Sequence, residues 1–419
     1  MSEPRGSGGE RLAPQPWMEA PATRAVIAAL TARGAQVRFV GGCVRDALLG
    51  RPVTDVDIAT PDEPGRVIEL LETAGLKAVP TGVDHGTVTA VAFGRPFEIT
   101  TLRHDVETYG RRARVAFTDD WTADAARRDF TFNAMSCSPE GRIHDPFGGI
   151  ADLRARRVRF VGRAEDRTRE DVLRLLRFFR FYAHYGAPPP DPEALAAARS
   201  LAPLLPTLSG ERIAAETLKL LAAPDPAPVM GLMREQGVLA HVLPEAQRID
   251  RLARLTAIET ALGLPLEPVR RLAAVLEGGP PSARAVALRL RLSNVDRDRL
   301  AQALSEPVPA PAQDGPARRA LRYRLPAQAF RDRCLIAWAG DEAADAAAWR
   351  ELAAVADWQP PRFPLKARDA LALGARPGPA LGRLMREMEA WWIAGDFQAD
   401  REACLGELRA RLGKGKSER

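Results

Sequence analysis

Cysteine is scarce in this 419-residue chain. Its four cysteines, Cys43, Cys137, Cys334 and Cys404, form no CxxC pair and lie near no histidine at zinc-ligand spacing. That excludes a disulfide scaffold and a structural zinc, and it suits a reducing compartment. Aromatic residues are also few, at 6%, while alanine and leucine abound. This balance favours helices over an all-β architecture. No apolar stretch approaches the ~20 residues of a membrane span. The polar, Gly/Pro-rich residues 1–16 lack the apolar core of a secretory signal. The expectation is a soluble, cytoplasmic protein, not bound to membrane and with no obligate protein partner.

Positive charge is concentrated rather than spread. The net charge is +6, and residues 154–180 alone hold ten arginines against four acids. Such a stretch suits a phosphate-bearing partner, although a salt-bridged helix face has the same composition.

Residues 1–16 and 413–419 read as tails, the first of them disordered. Short β-rich runs fall at 37–40, 56–59, 87–93 and 97–102, with helical spacing over 63–73 that stops at Gly75. Beyond about residue 155 the strand signals end. Helical patterns then cover 169–185, 192–200, 210–222, 227–236 and 251–262, with Pro-rich breaks, the longest at 306–316. The predicted fold class is α+β: a small mixed-sheet head over 17–155, an all-helical neck over 156–265, and a helical body and tail over 266–419.

The densest chemistry lies in Val40-Gly41-Gly42-Cys43-Val44-Arg45-Asp46, followed by Asp55-Val56-Asp57. A glycine pair between a strand and a short helix lets backbone N–H groups approach phosphate oxygens, and Arg45 can reach the same phosphates. In a strand, Asp55 and Asp57 would share a face about 7 Å apart. Paired carboxylates can hold Mg²⁺ together with waters and substrate phosphates. A two-ion site of that kind activates an attacking oxygen and neutralises a leaving one. Glu98, on the strand read at 97–102, is a candidate third carboxylate.

A second signal is Glu170-Asp171…Arg174…Arg177…Arg180. On a helix, residues three apart form a slanting row, with Val172, Leu175, Leu176 and Phe179 anchoring the opposite side. A carboxylate only accepts hydrogen bonds and a guanidinium only donates them. An Asp171/Arg174 pair would therefore match the pairing edges of adenine and cytosine and mismatch guanine and uracil. An ordinary surface ion pair would share this spacing. Between the two signals, Arg127-Arg128-Asp129 and Asn133-Ala134 offer Arg128 as a triphosphate or sugar contact. Asp145-Pro146-Phe147-Gly148-Gly149 reads as a turn, and residues 104–118 as a mobile loop.

These motifs, in this order, resemble the class II CCA-adding tRNA nucleotidyltransferases of the polymerase-beta-type nucleotidyltransferase superfamily. Leu208-Ser209-Gly210-Glu211-Arg212 also looks like a helix start of that family. The resemblance covers roughly residues 35–220. It implies template-independent addition of CCA to the 3′ end of tRNA, with ATP, CTP and the acceptor arm of tRNA as partners and Mg²⁺ as cofactor. It implies that Asp55 and Asp57 are the catalytic metal ligands and that Gly42, Arg45 and Arg128 hold phosphates and sugar. Asp171 and Arg174 would then read the base, supported by Arg177 and Arg180, and 104–118 would be a flexible loop that helps switch from CTP to ATP. No histidine in the C-terminal half is followed by aspartate, and none lies beyond His241, so the His-Asp phosphohydrolase domain of some members is not expected. A bacterial poly(A) polymerase, an enzyme adding only CC or only A, and a non-catalytic RNA-binding protein stay open as alternatives. Trp391-Trp392 reads as core packing in a terminal helix.

Overall fold

The computed structural model describes residues 10–109 and 112–417, with side chains undescribed at 105–109, 112–115 and 414–417. Contacts divide the chain into two compact units, Met1–Pro244 and Glu245–Arg419.

The strands all belong to the first unit. They are β1 (Arg38–Val40), β2 (Asp57–Thr60), β3 (Lys77–Gly82), β4 (Thr87–Ala92), β5 (Arg95–Thr101), β6 (Arg103–Tyr109), β7 (Arg112–Phe117), β8 (Ser136–Cys137) and β9 (Ile143–His144). Seven form one mixed sheet in the order β3-β4-β5-β2-β1-β8-β9, while β6 and β7 pair apart from it. Alternation divides the sheet faces. Phe39, Ile58, Val88, Phe97, Ile99 and Cys137 are buried on one face. On the other, Asp57 is opposed by Val40 on β1 and by Glu98 on β5.

Helices α1 (Pro16–Glu19) and α2 (Pro21–Thr31) precede β1, and α3 (Gly42–Leu48) and α4 (Pro64–Thr73) follow β1 and β2. Proline at the first helical positions of α2 and α4 removes an N–H that would have no partner there. Both helices pack along β4, burying Val26, Leu30, Val67 and Leu71. Next come α5 (Trp121–Ala126) and α6 (Gly149–Arg154). Trp121 of α5 covers Val40, Ala59 and Leu102. The Asp145 carboxylate accepts from the N–H groups of Gly149 and Ile150 at 2.7 and 2.9 Å and so caps α6. A Cβ on Gly149 would stand 2.3 Å from the Thr131 carbonyl oxygen, so only glycine allows this approach.

The helical half of this unit holds α7 (Ala164–Glu170), α8 (Leu173–Tyr185), α9 (Pro192–Leu201), α10 (Gly210–Leu221), α11 (Ala227–Glu235) and α12 (Val238–Val242). The scarce aromatics gather where α8 meets the head. Phe181 lies 5.2 Å from Phe130 and 5.6 Å from Phe132 between ring centroids, and Phe160 contacts Phe130 and Phe178. Each such pair contributes about 0.5–1.5 kcal/mol beyond its buried area.

The second unit is all helical among its described residues: α13 (Ile249–Ala261), α14 (Pro268–Val275), α15 (Gly279–Arg289), α16 (Asn294–Ala303), α17 (Gly315–Arg324), α18 (Ala327–Gly340), α19 (Ala346–Ala354), α20 (Ala367–Ala372), α21 (Pro379–Ala394) and α22 (Arg401–Ser417). Arg270 and Arg271 are fully buried on the two oxygens of Glu259, at 2.7 Å each. Asp332, equally buried, pairs with Arg299 at 2.9 Å. Buried ion pairs of this kind specify one packing more than they add net stability. Trp392 is core, with its indole N–H donated to the Ala399 carbonyl at 2.9 Å, and Trp391 packs beside it.

Five expectations are corrected. The helix expected over 169–185 is broken at Asp171, whose backbone is extended (φ −149°, ψ 105°). Its carboxylate accepts from the Leu173 N–H at 3.2 Å. Apolar periodicity cannot reveal this break, because the aspartate acts as a cap at the phase where the row would continue. Second, β6 and β7 form an antiparallel ribbon across most of the segment read as a loop, a pairing that its dense charge conceals. Third, Glu10 and Leu12 hydrogen-bond through their backbones to Ile143 and Gly141, so residues 10–12 line the sheet edge rather than a tail. Residues 1–9 lie outside the described residues. Fourth, the helix α22 runs through 413–417, where a tail was expected. Fifth, α13, grouped by sequence with the neck, packs on α14 and α18 in the second unit.

Candidate active site

A cleft of about 510 Å³ opens beyond the carboxyl end of β1. It is lined by Gly41, Gly42, Arg45, Asp57, Arg128, Asp129, Asn133, Asp171, Leu173, Arg174, Arg177, Phe181 and Arg212. Of the residues singled out from sequence, Gly42, Arg45, Asp57, Arg128, Asp171, Arg174 and Arg177 meet here. Asp55 and Arg180 do not line the cleft.

Gly41 turns the chain out of β1 with φ +70°, and a Cβ there would approach Arg128 Nη1 to 3.5 Å and Asp57 Oδ2 to 4.0 Å. Arg45, one turn into α3, is buried. It donates to Asn133 Oδ1 at 2.8 Å and through Nε and Nη2 to Asp46, and it stacks 4.3 Å from the Tyr185 ring centroid. Tyr185 in turn donates its hydroxyl to Asp46 at 3.0 Å. Arg128 is anchored by Asp124 at 3.1 Å. Burial pushes the Asp124 carboxyl upward, but Arg128 and Arg127 outweigh it and hold the group below its ordinary range.

On the opposite wall the charged groups pair differently from the expected row. Asp171 and Arg174 are not each other's partners. Arg212 of α10 donates to Asp171 Oδ2 at 2.7 Å. Arg174 donates to Glu170 at 2.5 Å and to the carbonyls of Arg167 and Arg127 at 3.0 and 3.1 Å. Arg177 pairs with Asp129 at 2.6 Å, and Asp129 also accepts from Asn133 Nδ2 at 3.0 Å. Burial alone would raise Asp129, yet Arg177 and Asn133 hold it low; burial likewise opposes the Arg177 charge, and Asp129 and Glu216 raise its pKa instead. Arg180 turns away to Glu216 at 3.1 Å and stacks over Phe181 at 4.3 Å. A continuous set of contacts thus runs from Arg45 through Asn133 and Asp129 to Arg177. Sequence reasoning missed Phe181, Glu216 and the tether from Arg212, and no local signal carries them, since each acts across a fold contact.

A poly A polymerase head-domain model matches residues 37–159, and a model described as "Probable RNA and SrmB-binding site of polymerase A" matches 190–249. The mitochondrial CCA tRNA nucleotidyltransferase 1 of Mus musculus is 33% identical over 390 residues, spanning 89% of this chain and 86% of that protein. The chain belongs to the CCA-adding tRNA nucleotidyltransferase family. Another member, the CCA-adding enzyme of Geobacillus stearothermophilus, is 42% identical over 235 residues, 55% of this chain and 56% of its own. Among solved structures of the family, the Bacillus stearothermophilus CCA-adding enzyme in complex with CTP superposes with a TM-score of 0.77 at 28% identity, covering 96% of this chain and 100% of that one. The Thermotoga maritima enzyme complexed with tRNA shares the fold, with a TM-score of 0.62 at 20% identity over 93% and 94% of the two chains.

Nucleotidyl transfer of this kind employs a divalent metal ion, and the acids at the mouth of the cleft fit one. Asp57 begins β2 and stands opposite Glu98, while Asp55 lies exposed just before the strand rather than within it. Burial, the neighbouring Glu98 and then Asp55 push the Asp57 carboxyl up to about 6, against the opposing pull of Arg128. The acids are therefore under-compensated by protein cations. Among the described residues no three His, Cys, Asp or Glu side chains form a complete protein cage. A magnesium site completed by waters and substrate phosphates needs none.

That raised pKa has a measurable consequence. The folded protein holds the Asp57 proton more tightly than the unfolded chain, whose ordinary value is 3.8. Ionising Asp57 therefore lowers stability as pH climbs from about 4 to about 6, and the loss persists above that. Asp57→Asn should melt at higher temperature than the parent at pH 8 without divalent ions, by on the order of 1–2 kcal/mol after allowing for solvent screening. The gain should vanish near pH 4. Equal or lower stability of the variant at pH 8 would show that the carboxylate is not strained there.

Proposed function

We propose that this protein adds C, C and A in turn to the 3′ end of tRNA, using CTP and ATP and releasing pyrophosphate. The observation that carries this reading is that Asp57, the phosphate-directed Arg45 and Arg128, and the acceptor–donor groups of Asp171 and Arg174 all line one cleft. The 3′-hydroxyl oxygen attacks the α-phosphorus, its proton is lost, and the bond to the β-phosphate oxygen breaks. Asp55 and Asp57 would hold Mg²⁺, which when bound lowers the hydroxyl's pKa and stabilises charge on the leaving oxygens. Arg45 and Arg128, clamped by Asp46 and Asp124, present donors to the triphosphate without having to be ordered during the reaction. The absence of a Cβ at Gly41 and Gly42 keeps the floor of the cleft open to phosphate oxygens. Asp171, fixed by Arg212, offers an acceptor to the amino group of cytosine or adenine, and Arg174 offers donors to the ring nitrogen.

The four cysteines are free and buried, which suits a reducing compartment, and we assign the protein to the cytoplasm. Among the described residues no helix is long and apolar enough to cross a membrane.

The test is incorporation of labelled CTP and ATP into tRNA lacking its CCA end, with and without Mg²⁺. Three additions and a stop are expected. The head-domain match to poly A polymerases favours one rival. Repeated addition of A to a CC-ended tRNA would establish that rival, and addition of CC or A alone would establish a partial enzyme.

A further inference from the structure

The sheet face that carries the acids holds a second charged cluster, which the cleft does not use. Its position follows from register. Opposed residues on neighbouring strands project from one face. Glu98, Asp57, Val40, Ser136 and His144 are opposed in turn from β5 through β2, β1 and β8 to β9. Asp57 and His144 therefore share a face, three strand spacings or about 14 Å apart. Arg38 lies two residues before Val40, and Arg142 two before His144, so both project the same way. Arg38 stands about 8 Å from Asp57 between Cα atoms, one strand across and two residues along. Arg38, Arg142 and His144 line a cavity of about 380 Å³ with Ser138 and Glu140.

Arg38 is half-buried, and among the described residues no carboxylate pairs with it. Its guanidinium lies 4.0 Å over the Trp121 ring and reaches Ser136 Oγ at 3.5 Å. Burial lowers its pKa with no acid to offset it. Burial, then Arg38 and Arg142, depress His144, leaving the ring neutral near pH 7. The one acid lining the cavity, Glu140, accepts from Ser138 Oγ at 2.6 Å. A desolvated cation without a counter-charge costs free energy that an arriving anion recovers. Single-stranded nucleic acid is held by cationic grooves that follow its backbone and by aromatic faces on which bases stack. Arg38 and Arg142 supply the cationic part, and Trp121, under the Arg38 guanidinium, holds that cation in place. The triphosphate is the weaker candidate, because Arg45 and Arg128 serve it beyond the other end of β1.

We propose that this cavity is a phosphodiester subsite for the RNA strand being extended, with Arg38 and Arg142 on its backbone and Trp121 holding the Arg38 guanidinium in place. The inference rests on the transfer reaction proposed above. Its test uses the full chain as Arg38→Gln, Arg142→Gln and the double variant. Binding of tRNA lacking CCA is read by fluorescence anisotropy over a series of salt concentrations, beside KM for tRNA and for CTP. Arg142 is exposed and interacts with Glu140 only electrostatically, so its variant should fold even if Arg38→Gln does not. Each substitution should weaken tRNA binding several-fold, reduce the slope of log affinity against log salt by about 1, and raise KM for tRNA but not for CTP. An unchanged slope and tRNA KM in Arg142→Gln and the double variant would overturn the proposal. A rise in KM for CTP with tRNA binding intact would do the same, by assigning the cavity to the triphosphate. The anisotropy needs no turnover. If the parent protein transfers no nucleotide, the functional reading fails, and the salt slope still decides the subsite.

Discussion

Asp57→Ala should lower CMP incorporation by at least ~10³-fold, equivalent to about 4 kcal/mol of transition-state stabilisation. Asp57 lines the cleft together with Arg45 and Arg128, and the absence of a Cβ at Gly41 leaves its Oδ2 open there. The loss should appear in single-turnover incorporation of labelled CTP at saturating Mg²⁺, so that slow product release does not mask it. The fold should survive, because the removed carboxylate is itself raised to about 6 by burial and by Glu98. Retained tRNA binding and an unchanged or higher Tm are the controls. Activity within ten-fold of the parent would remove Asp57 from the reaction. Asp55→Ala tests the partner acid in the same assay.

The second large effect concerns base choice. Asp171→Ala should reduce the preference for CTP over UTP, expressed as the ratio of kcat/KM values, by about 10²–10³-fold, because a mismatched partner would no longer meet an opposing acceptor. The alanine variant also removes the cap on α8, at a cost of about 1 kcal/mol. Asp171→Asn separates the two roles, since asparagine caps a helix equally well but adds donors. Arg212→Ala leaves the carboxylate in place and removes its 2.7 Å tether, so an intermediate loss of discrimination is expected. If Asp171→Ala rejects UTP as strictly as the parent, the base is read elsewhere.

The tether changes how the recognition wall is understood. Seen as a helical row, Asp171 and Arg174 look like a self-contained pair. In the structure each is held by other groups: Asp171 by Arg212 and the Leu173 N–H, Arg174 by Glu170 and two carbonyls. If they read the base as proposed, side chains immobilised in this way would meet it with little ordering cost. The same holds for Arg45, fixed between Asp46 and Asn133.

What was legible in the sequence was local. The strands at 37–40, 56–59, 87–93 and 97–102 and the helix at 63–73 could be read because apolar residues repeat with the period of the backbone that carries them. The glycine turn was legible for the same reason, since its geometry is completed within a few residues, whereas Asp55, expected on the strand beside Asp57, lies before it. Tertiary structure alone decided which charges meet. Arg212 reaches Asp171 across 41 residues and Arg177 reaches Asp129 across 48. It also decided that residues 104–118 pair as a ribbon, that residues 10–12 line a sheet edge, and that Asp171 stands between two helices. Each is set by a hydrogen bond or ion pair whose partner the local period does not encode, and for charged side chains such pairing, not periodicity, sets position.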